Sequence, residues 1–200
     1  MLKRLFDIIF SFLAIIILLP LLLLIMVWII IDSGWPPFYK QIRVGKNEKS
    51  FTLLKFRTMH KNAEKRGMLT IGMKDTRITP AGYFLRKYKL DELPQLFNIF
   101  MGTMSFVGPR PEVKKYVDLY NNEQKEILQV RPGLTDFASI EYFEENAILA
   151  SSETPEKEYI EKIMPKKILL NKKYIQQKSL ATDMKIIYKT LLRIMKGHLH

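Results

Sequence analysis

The chain has 200 residues, with 32 lysines and arginines against 20 acids, and no cysteine. That length fills one domain whose core needs no disulfide support. The missing thiols exclude a disulfide framework, a thiolate metal site and a cysteine nucleophile.

Three histidines, two of them in the terminal Gly-His-Leu-His, argue against a Ser-His-Asp triad or a multi-histidine zinc site. The net charge of +12 suits anionic partners: lipid, nucleotide phosphates or nucleic acid. From Ile8 to Ile31 only Ser11 and Pro20 interrupt an apolar run of 24 residues. As a continuous helix this run extends about 36 Å, enough to cross a bilayer. It exceeds a signal-peptide core, and the following Asp-Ser-Gly-Trp-Pro-Pro-Phe offers no good small-residue cleavage site, so the segment is expected to stay in the mature protein.

Pro20 removes one N–H and crowds the carbonyl of Ile16, which predicts a kink and costs about 3 kcal/mol in a soluble helix. Lys3 and Arg4 precede the run, while Lys40, Arg43, Lys46 and Lys49 follow it. The positive-inside tendency holds both flanks in the cytoplasm. Two topologies satisfy the residues: a single-pass anchor with a tolerated kink, and a bent helix that enters and leaves by one face.

Residues 37–57 are rich in aromatic and β-branched side chains on either side of Gly45 and Asn47, which predicts a hairpin. Residues 60–68 read as a short polar helix or loop. Thr79 and Pro80 mark a helix start, with Phe84, Leu85 and Tyr88 on its apolar face. Asp91 then caps a second helix whose first turn tolerates Pro94, placing Asp91 and Glu92 where free N–H groups and the positive dipole end gather. Such an end suits phosphate, although an acidic pair at a helix start is also ordinary capping.

Ser105–Glu112 and Val130–Thr135 read as Gly/Pro-rich turns, each holding one arginine, Arg110 and Arg131. Prolines on both sides of Arg110 restrict its backbone and suit a phosphate clamp. Residues 112–129 have the spacing of one amphipathic helix. The acidic stretch 141–158 departs from the basic background and receives no role. From Pro165 onward two basic helices are predicted. In the second, Met184, Ile187, Tyr188, Leu191 and Met195 form a stripe beside Lys185, Lys189, Arg193 and Lys196. That layout fits either anionic lipid or packing on the core. Neither a GxxxxGK[ST] phosphate loop nor a GxGxxG turn occurs.

Taken in order, the Pro-broken apolar helix, RVG, KFRTM, DTRITPAGYFLRKYKLDELPQLFN, SFVGPRPE and RPGLT resemble the bacterial sugar transferase family, the monotopic polyprenyl-phosphate phosphoglycosyl transferases. The resemblance covers residues 1 to 180, and the short length is similar to the PglC-type initiators of protein glycosylation. It implies a mixed α/β, mostly helical fold. A Pro-kinked re-entrant membrane helix would occupy residues 1–36, and a β-hairpin and compact helical catalytic domain 37–182. An interfacial, basic amphipathic helix and tail would follow over 183–200.

The resemblance further implies transfer of a phosphosugar from a UDP-sugar to polyprenyl phosphate, with Mg²⁺, at the cytoplasmic face of a bacterial inner membrane. Asp91 would be the nucleophile and Glu92 its partner, both candidate Mg²⁺ ligands, with Lys55, Arg57, Arg86 and Arg110 as cations toward substrate phosphate. A UDP-linked acetamido sugar is the expected donor, with a UDP-hexose or UDP-N-acetylhexosamine as alternatives; no nucleic-acid partner is expected. Leu19 stands where the family often has serine before the proline. Thr103 replaces an aspartate, and Asp136 replaces the glycine of RPGLTG. Two other classes compete: a membrane-anchored basic module binding nucleic acid or lipid, and a Mg²⁺-dependent phosphohydrolase.

Overall fold

The computed structural model describes residues 2–63 and 75–196, so most of the expected polar segment at 60–68 and the terminal 197–200 lie outside the described residues. A long helix, α1 (Leu2–Ser33), opens the chain and stays helical through Pro20. Leu22, Ile25 and Ile29, at helical spacing, pack on Phe56 and Leu85. Earlier in the helix, Ala14, Ile15 and Leu18 meet Leu53, Leu96, Ile99 and Met104. The other face is left bare, with Ile17 74% and Ile31 80% exposed. Among the described residues α1 is the one helix long and apolar enough to cross a membrane.

Both ends of α1 are tied to the rest of the chain. Near its start, Arg4 donates to the carbonyls of Ile99 at 2.6 Å and Phe100 at 2.7 Å, and Lys3 donates to Val107 O at 2.9 Å. The buried carboxylate of Asp7 accepts from Ser105 Oγ at 3.1 Å and Phe106 N at 3.2 Å. At the other end Arg57 donates to Ser33 Oγ at 2.9 Å and to Gly34 O.

The expected hairpin forms as β1 (Phe38–Val44) and β2 (Ser50–Phe56), antiparallel, with Phe38 opposite Phe56 and Val44 opposite Ser50. Asn47 turns the chain at φ 55°, a left-handed conformation that asparagine tolerates better than most residues. Helix α2 (Pro80–Lys87) starts as its sequence predicts: Thr79 Oγ1 accepts from Gly82 N at 3.0 Å, and Pro80 sits in the first turn. Gly82 is needed because a Cβ there would stand 2.0 Å from Thr58 O. Leu85 is fully buried, whereas Phe84 is largely exposed beside Trp28.

Asp91 does not cap the next helix. It lies in a 3-10 turn, Leu90–Glu92, entered through Lys89 at φ 56°, and α3 (Gln95–Met101) begins after Pro94 without a side-chain cap. Backbone bonds Leu93 N to Leu90 O and Leu96 N to Leu93 O already satisfy this entry, which leaves Asp91 unused by the helix.

The two Gly/Pro-rich segments read as turns contain a small parallel pair, β3 (Ser105–Val107) and β4 (Gly133–Thr135), with Ser105 opposite Gly133 and Val107 opposite Thr135. Its backbones meet closely: a Cβ on Gly133 would stand 2.1 Å from Gly108 N. The single amphipathic helix expected over 112–129 is instead a short α4 (Lys114–Val117) and a 3-10 turn, Gln124–Gln129. Asn121 and Gln124 exchange side-chain and backbone bonds, Gln124 N to Asn121 Oδ1 at 2.8 Å and Asn121 N to Gln124 Oε1 at 3.0 Å, and this reciprocal bonding starts a new turn. The apolar spacing is used all the same, since Val113, Tyr116, Val117, Tyr120 and Ile127 enter one core cluster.

Helices α5 (Phe137–Glu141), α6 (Glu145–Ala150) and α7 (Pro155–Glu158) carry the acidic stretch, followed by a π-helical turn, α8 (Met164–Gln177) and α9 (Leu180–Lys196). The acids answer the basic helices: Glu145 pairs with Lys167 at 2.9 Å and Glu144 with Arg193 at 3.4 Å. On α9, Ile186 packs inward with Val107 and Tyr174. Of the predicted stripe, Ile187 packs against this cluster, while Met184, Tyr188, Leu191 and Met195 remain exposed. The whole is a mostly helical fold with a small amount of sheet, built against a long apolar helix.

Candidate active site

Four segments converge on the acidic pair: the end of β2, the end of α2, the 3-10 turn and the loop after β3. Asn98 fixes the first against the third. Buried in α3, its Oδ1 accepts from Leu54 N at 3.0 Å and its Nδ2 donates to Thr52 O at 2.8 Å, so it occupies backbone groups on the free edge of β2. Lys55 is thereby held facing the turn, with Nζ 2.9 Å from Glu92 Oε1. From the other side Arg110 Nη2 donates to the same Glu92 oxygen. Arg86 Nε is held by Thr58 Oγ1 at 2.8 Å.

Neighbours in sequence, Asp91 and Glu92 are electrostatic opposites. Burial favours the neutral form of both. For Glu92 that penalty is outweighed by the charges of Arg110 and Lys55 and by the Arg110 hydrogen bond, which hold its carboxyl well below the usual range. Asp91 is 7% exposed, and among the described residues no donor is bonded to its carboxylate. Burial pushes it up, Lys55 opposes the rise, and the negative charge of Glu92 adds to it. Burial likewise lowers Lys55 against the pull of Glu92, and Glu92 raises Arg110. The result is one firmly ionised, neutralised carboxylate beside a second whose oxygens, among the described residues, have no bonded donor in a cationic surround.

Of the residues singled out from sequence, Asp91, Glu92, Lys55 and Arg110 come together, and Arg86 adds its charge to both acids. Arg57 is placed apart. Lys55 and Arg57 would share a strand face, but β2 ends at Phe56, and the Arg57 guanidinium turns to Ser33 and Gly34 at the end of α1. Arg131 donates to Gly102 O at 2.9 Å. Thr103 bonds within the end of α3, Oγ1 to Asn98 O at 3.1 Å.

Lys89 and Asn98 escaped the sequence reading. Lys89 lowers both acids by its charge, and its Nζ lies 5.1 Å from the Phe143 ring centroid. The signals were there: a polar Asn98 in the apolar run Leu-Phe-Asn-Ile-Phe, and a lysine two residues before Asp91.

Among the described residues no group of three or more His, Asp or Glu side chains is arranged to hold a metal ion. Mg²⁺ needs no such cage, because it retains water and often binds one or two carboxylates together with substrate phosphates. The Asp91 oxygens, next to Glu92 and without a bonded donor among the described residues, fit that pattern.

The family model described as bacterial sugar transferase matches residues 1–197. The exopolysaccharide production protein ExoY of Sinorhizobium fredii is 35% identical over 206 residues, covering 94% of this chain and 83% of the relative. The uncharacterized sugar transferase EpsL of Bacillus subtilis is 34% identical, covering 97% and 87%. A UDP-glucose:undecaprenyl-phosphate glucose-1-phosphate transferase of Xanthomonas campestris is 36% identical over 96% of this chain, which spans only 38% of that relative's length. A UDP-N-acetylgalactosamine-undecaprenyl-phosphate N-acetylgalactosaminephosphotransferase of Aeromonas hydrophila is 34% identical, with 44% of its length spanned.

The chain belongs to the bacterial sugar transferase family. It is accordingly a transferase, and α1 associates it with a membrane.

Proposed function

We propose that the chain transfers a phosphosugar from a UDP-sugar to polyprenyl phosphate, releasing UMP, through a covalent intermediate on Asp91. The observation that carries this reading is the division between the two acids. Glu92 is occupied by Lys55 and Arg110, while the Asp91 oxygens have no bonded donor among the described residues and lie within a cationic surround. Names of relatives that act on UDP-glucose or UDP-N-acetylgalactosamine and undecaprenyl phosphate support the reaction class.

In the first displacement an Asp91 oxygen bonds to the sugar-linked phosphorus, and the bond from that phosphorus to the bridging oxygen breaks. UMP leaves with the electron pair. In the second, an oxygen of the polyprenyl phosphate bonds to the same phosphorus and the Asp91–phosphorus bond breaks, giving a polyprenyl diphosphate sugar and restoring the carboxylate. A carboxylate is a weak nucleophile, and covalent catalysis divides one hard transfer into two displacements. Arg86, Arg110, Lys55 and Lys89 reduce the repulsion between an anionic donor and an anionic nucleophile. Mg²⁺, held by Asp91 or Glu92 with the donor diphosphate, would supply further charge neutralisation.

Placement at the membrane follows from α1. Its two ends bond to the same folded unit, through Lys3 and Arg4 at one end and Ser33 at the other, while Ile16, Ile17, Leu19 and Leu21 between them are exposed. This supports a helix that enters and leaves by one face of the membrane, and we take that face to be the cytoplasmic one. The exposed α9 stripe, flanked by lysines, lies on anionic lipid at that face. The lipid acceptor and the soluble nucleotide then meet at one interface.

The product begins a glycoconjugate, and the donor is a UDP-linked acetamido sugar or hexose, the classes named for relatives. A panel of UDP-sugars with undecaprenyl phosphate and Mg²⁺, read by UMP release, tests this. Lipid-dependent UMP release with one preferred donor is expected; release independent of the lipid acceptor would point to hydrolysis instead.

A further inference from the structure

Asp136 is one of the most deeply buried charged residues in the chain, at 0% exposed, yet it touches neither Asp91 nor Glu92. Each of its two oxygens accepts one backbone N–H. Oδ1 takes Ser139 N at 2.6 Å, which caps α5, and Oδ2 takes Arg110 N at 3.2 Å. The second bond crosses from the start of α5 to the loop that carries the arginine bonded to Glu92.

A cap explains only one of these bonds. A serine or asparagine caps a short helix as well as aspartate does, so capping alone does not require a two-oxygen acceptor in a buried position. The second acceptor fixes the backbone from which the Arg110 side chain departs. Arg110 Nη1 is held in turn by Leu134 O at 3.2 Å, two residues before Asp136. The far side of the same loop is held independently, by Arg43 Nη1 on Pro111 O at 3.0 Å and by Val44 N on Glu112 O at 2.9 Å. Arg110 therefore reaches Glu92 from a loop bonded on both sides: toward β4, Gly133 N donates to Pro109 O at 3.0 Å and Gly108 N to Thr135 O at 3.1 Å, and Asp136 takes the N–H of Arg110 itself.

We propose that Asp136 is a positioning residue of the transfer reaction, fixing the Arg110 backbone so that the guanidinium meets Glu92 beside Asp91. The proposal rests on the transferase reading and assigns Asp136 no contact with substrate. Asp136→Asn retains one acceptor oxygen and turns an amide NH₂ toward the other donor. Asp136→Ser retains the α5 cap, but its single short hydroxyl cannot also reach Arg110 N.

The experiment is a double-mutant cycle between position 136 and Arg110→Gln in the full-length membrane-embedded protein, measuring kcat and the donor KM, with thermal unfolding followed in parallel. Asp136→Asn and Asp136→Ser are expected to lower kcat by about tenfold or more, with little change in donor KM, as misplacement of a reacting group does. In the Arg110→Gln background the same substitutions should change kcat by no more than about twofold, because the group they position is gone. A purely structural cap predicts losses that multiply with Arg110→Gln and follow the loss of folded protein.

Multiplicative losses, or full activity in the folded Asp136→Ser protein, overturn the proposal while leaving the transferase reading intact. An Arg110→Gln protein as fast as its parent overturns both this proposal and the arginine's assigned role. A parent that releases no UMP overturns the transferase reading itself, and the assignment of Asp136 with it.

Discussion

Lys55 Nζ lies 2.9 Å from Glu92 Oε1, joining the end of the hairpin to the turn that carries both acids. The bond matters as much for Asp91 as for Glu92. Lys55 is the strongest of the charges that oppose the burial-driven rise of Asp91, and Glu92 is the charge that adds to it.

A pH profile should expose this opposition. In the proposed mechanism Asp91 attacks only when ionised, and burial pushes its carboxyl above the usual aspartate range. The acid limb of kcat/KM, which reports free-enzyme groups, should therefore lie above that range, with activity lost as pH falls through it. Lys55→Met removes a charge that favours ionisation and should move the limb to higher pH. Glu92→Gln removes a repelling charge and should move it lower, even as the maximal rate falls. Limbs that stay fixed in both variants would contradict the assignment.

Arg57 and Arg110 should separate into structural and catalytic effects. Arg57 is buried and bonded to Ser33 and Gly34, so Arg57→Ala should cost about 1–3 kcal/mol of stability. The kcat of the folded fraction should stay within about twofold of the parent, because no reacting group is touched. Arg110→Ala should instead lower kcat by about a hundredfold, the scale of a lost electrostatic partner. Thermal unfolding and UMP release, measured on the same samples, distinguish the two.

Gly82→Ala tests how closely α2 must lie on the chain leaving β2. The added Cβ meets backbone, 2.0 Å from Thr58 O, and no side-chain rotation relieves the contact. A loss of about 2 kcal/mol or more is expected. Activity should fall too, because Arg86 rides on the same helix and bonds to Thr58. An unfolding midpoint equal to that of the parent would show that α2 sits elsewhere.

The topology of α1 can be read with thiols, since the chain has no cysteine of its own. Leu2→Cys and Lys46→Cys, each alone in oriented vesicles, should react equally with a membrane-impermeant reagent applied to the cytoplasmic side. Opposite accessibility would reject the re-entrant path without touching the chemistry.

These tests fall on features of unequal legibility in the sequence. The hairpin was plain because its seven-residue strands are rich in aromatic and β-branched residues and Asn47 marks the turn, and the start of α2 was plain because Thr79 and Pro80 carry its capping chemistry. The β3–β4 pair was not, because three residues are too few for a period-two pattern to emerge. Nor was the break after α4, which depends on two side chains, Asn121 and Gln124, choosing backbone partners. The acids and Arg110 were visible through family resemblance, but the direction of Arg57 depends on where β2 ends, and Asp136 acquires its second bond only when α5 meets the loop after β3. The acidic stretch made sense only once the helices it pairs with had a place.

The most direct measurement is mass analysis of the protein quenched during turnover with Mg²⁺ and UDP-sugar, without lipid acceptor. A phosphosugar mass on the peptide containing Asp91 is expected. It should disappear on adding polyprenyl phosphate and be absent from a folded Asp91→Asn protein. Undiminished transfer to lipid by that variant, with no adduct formed at any time, would contradict the account.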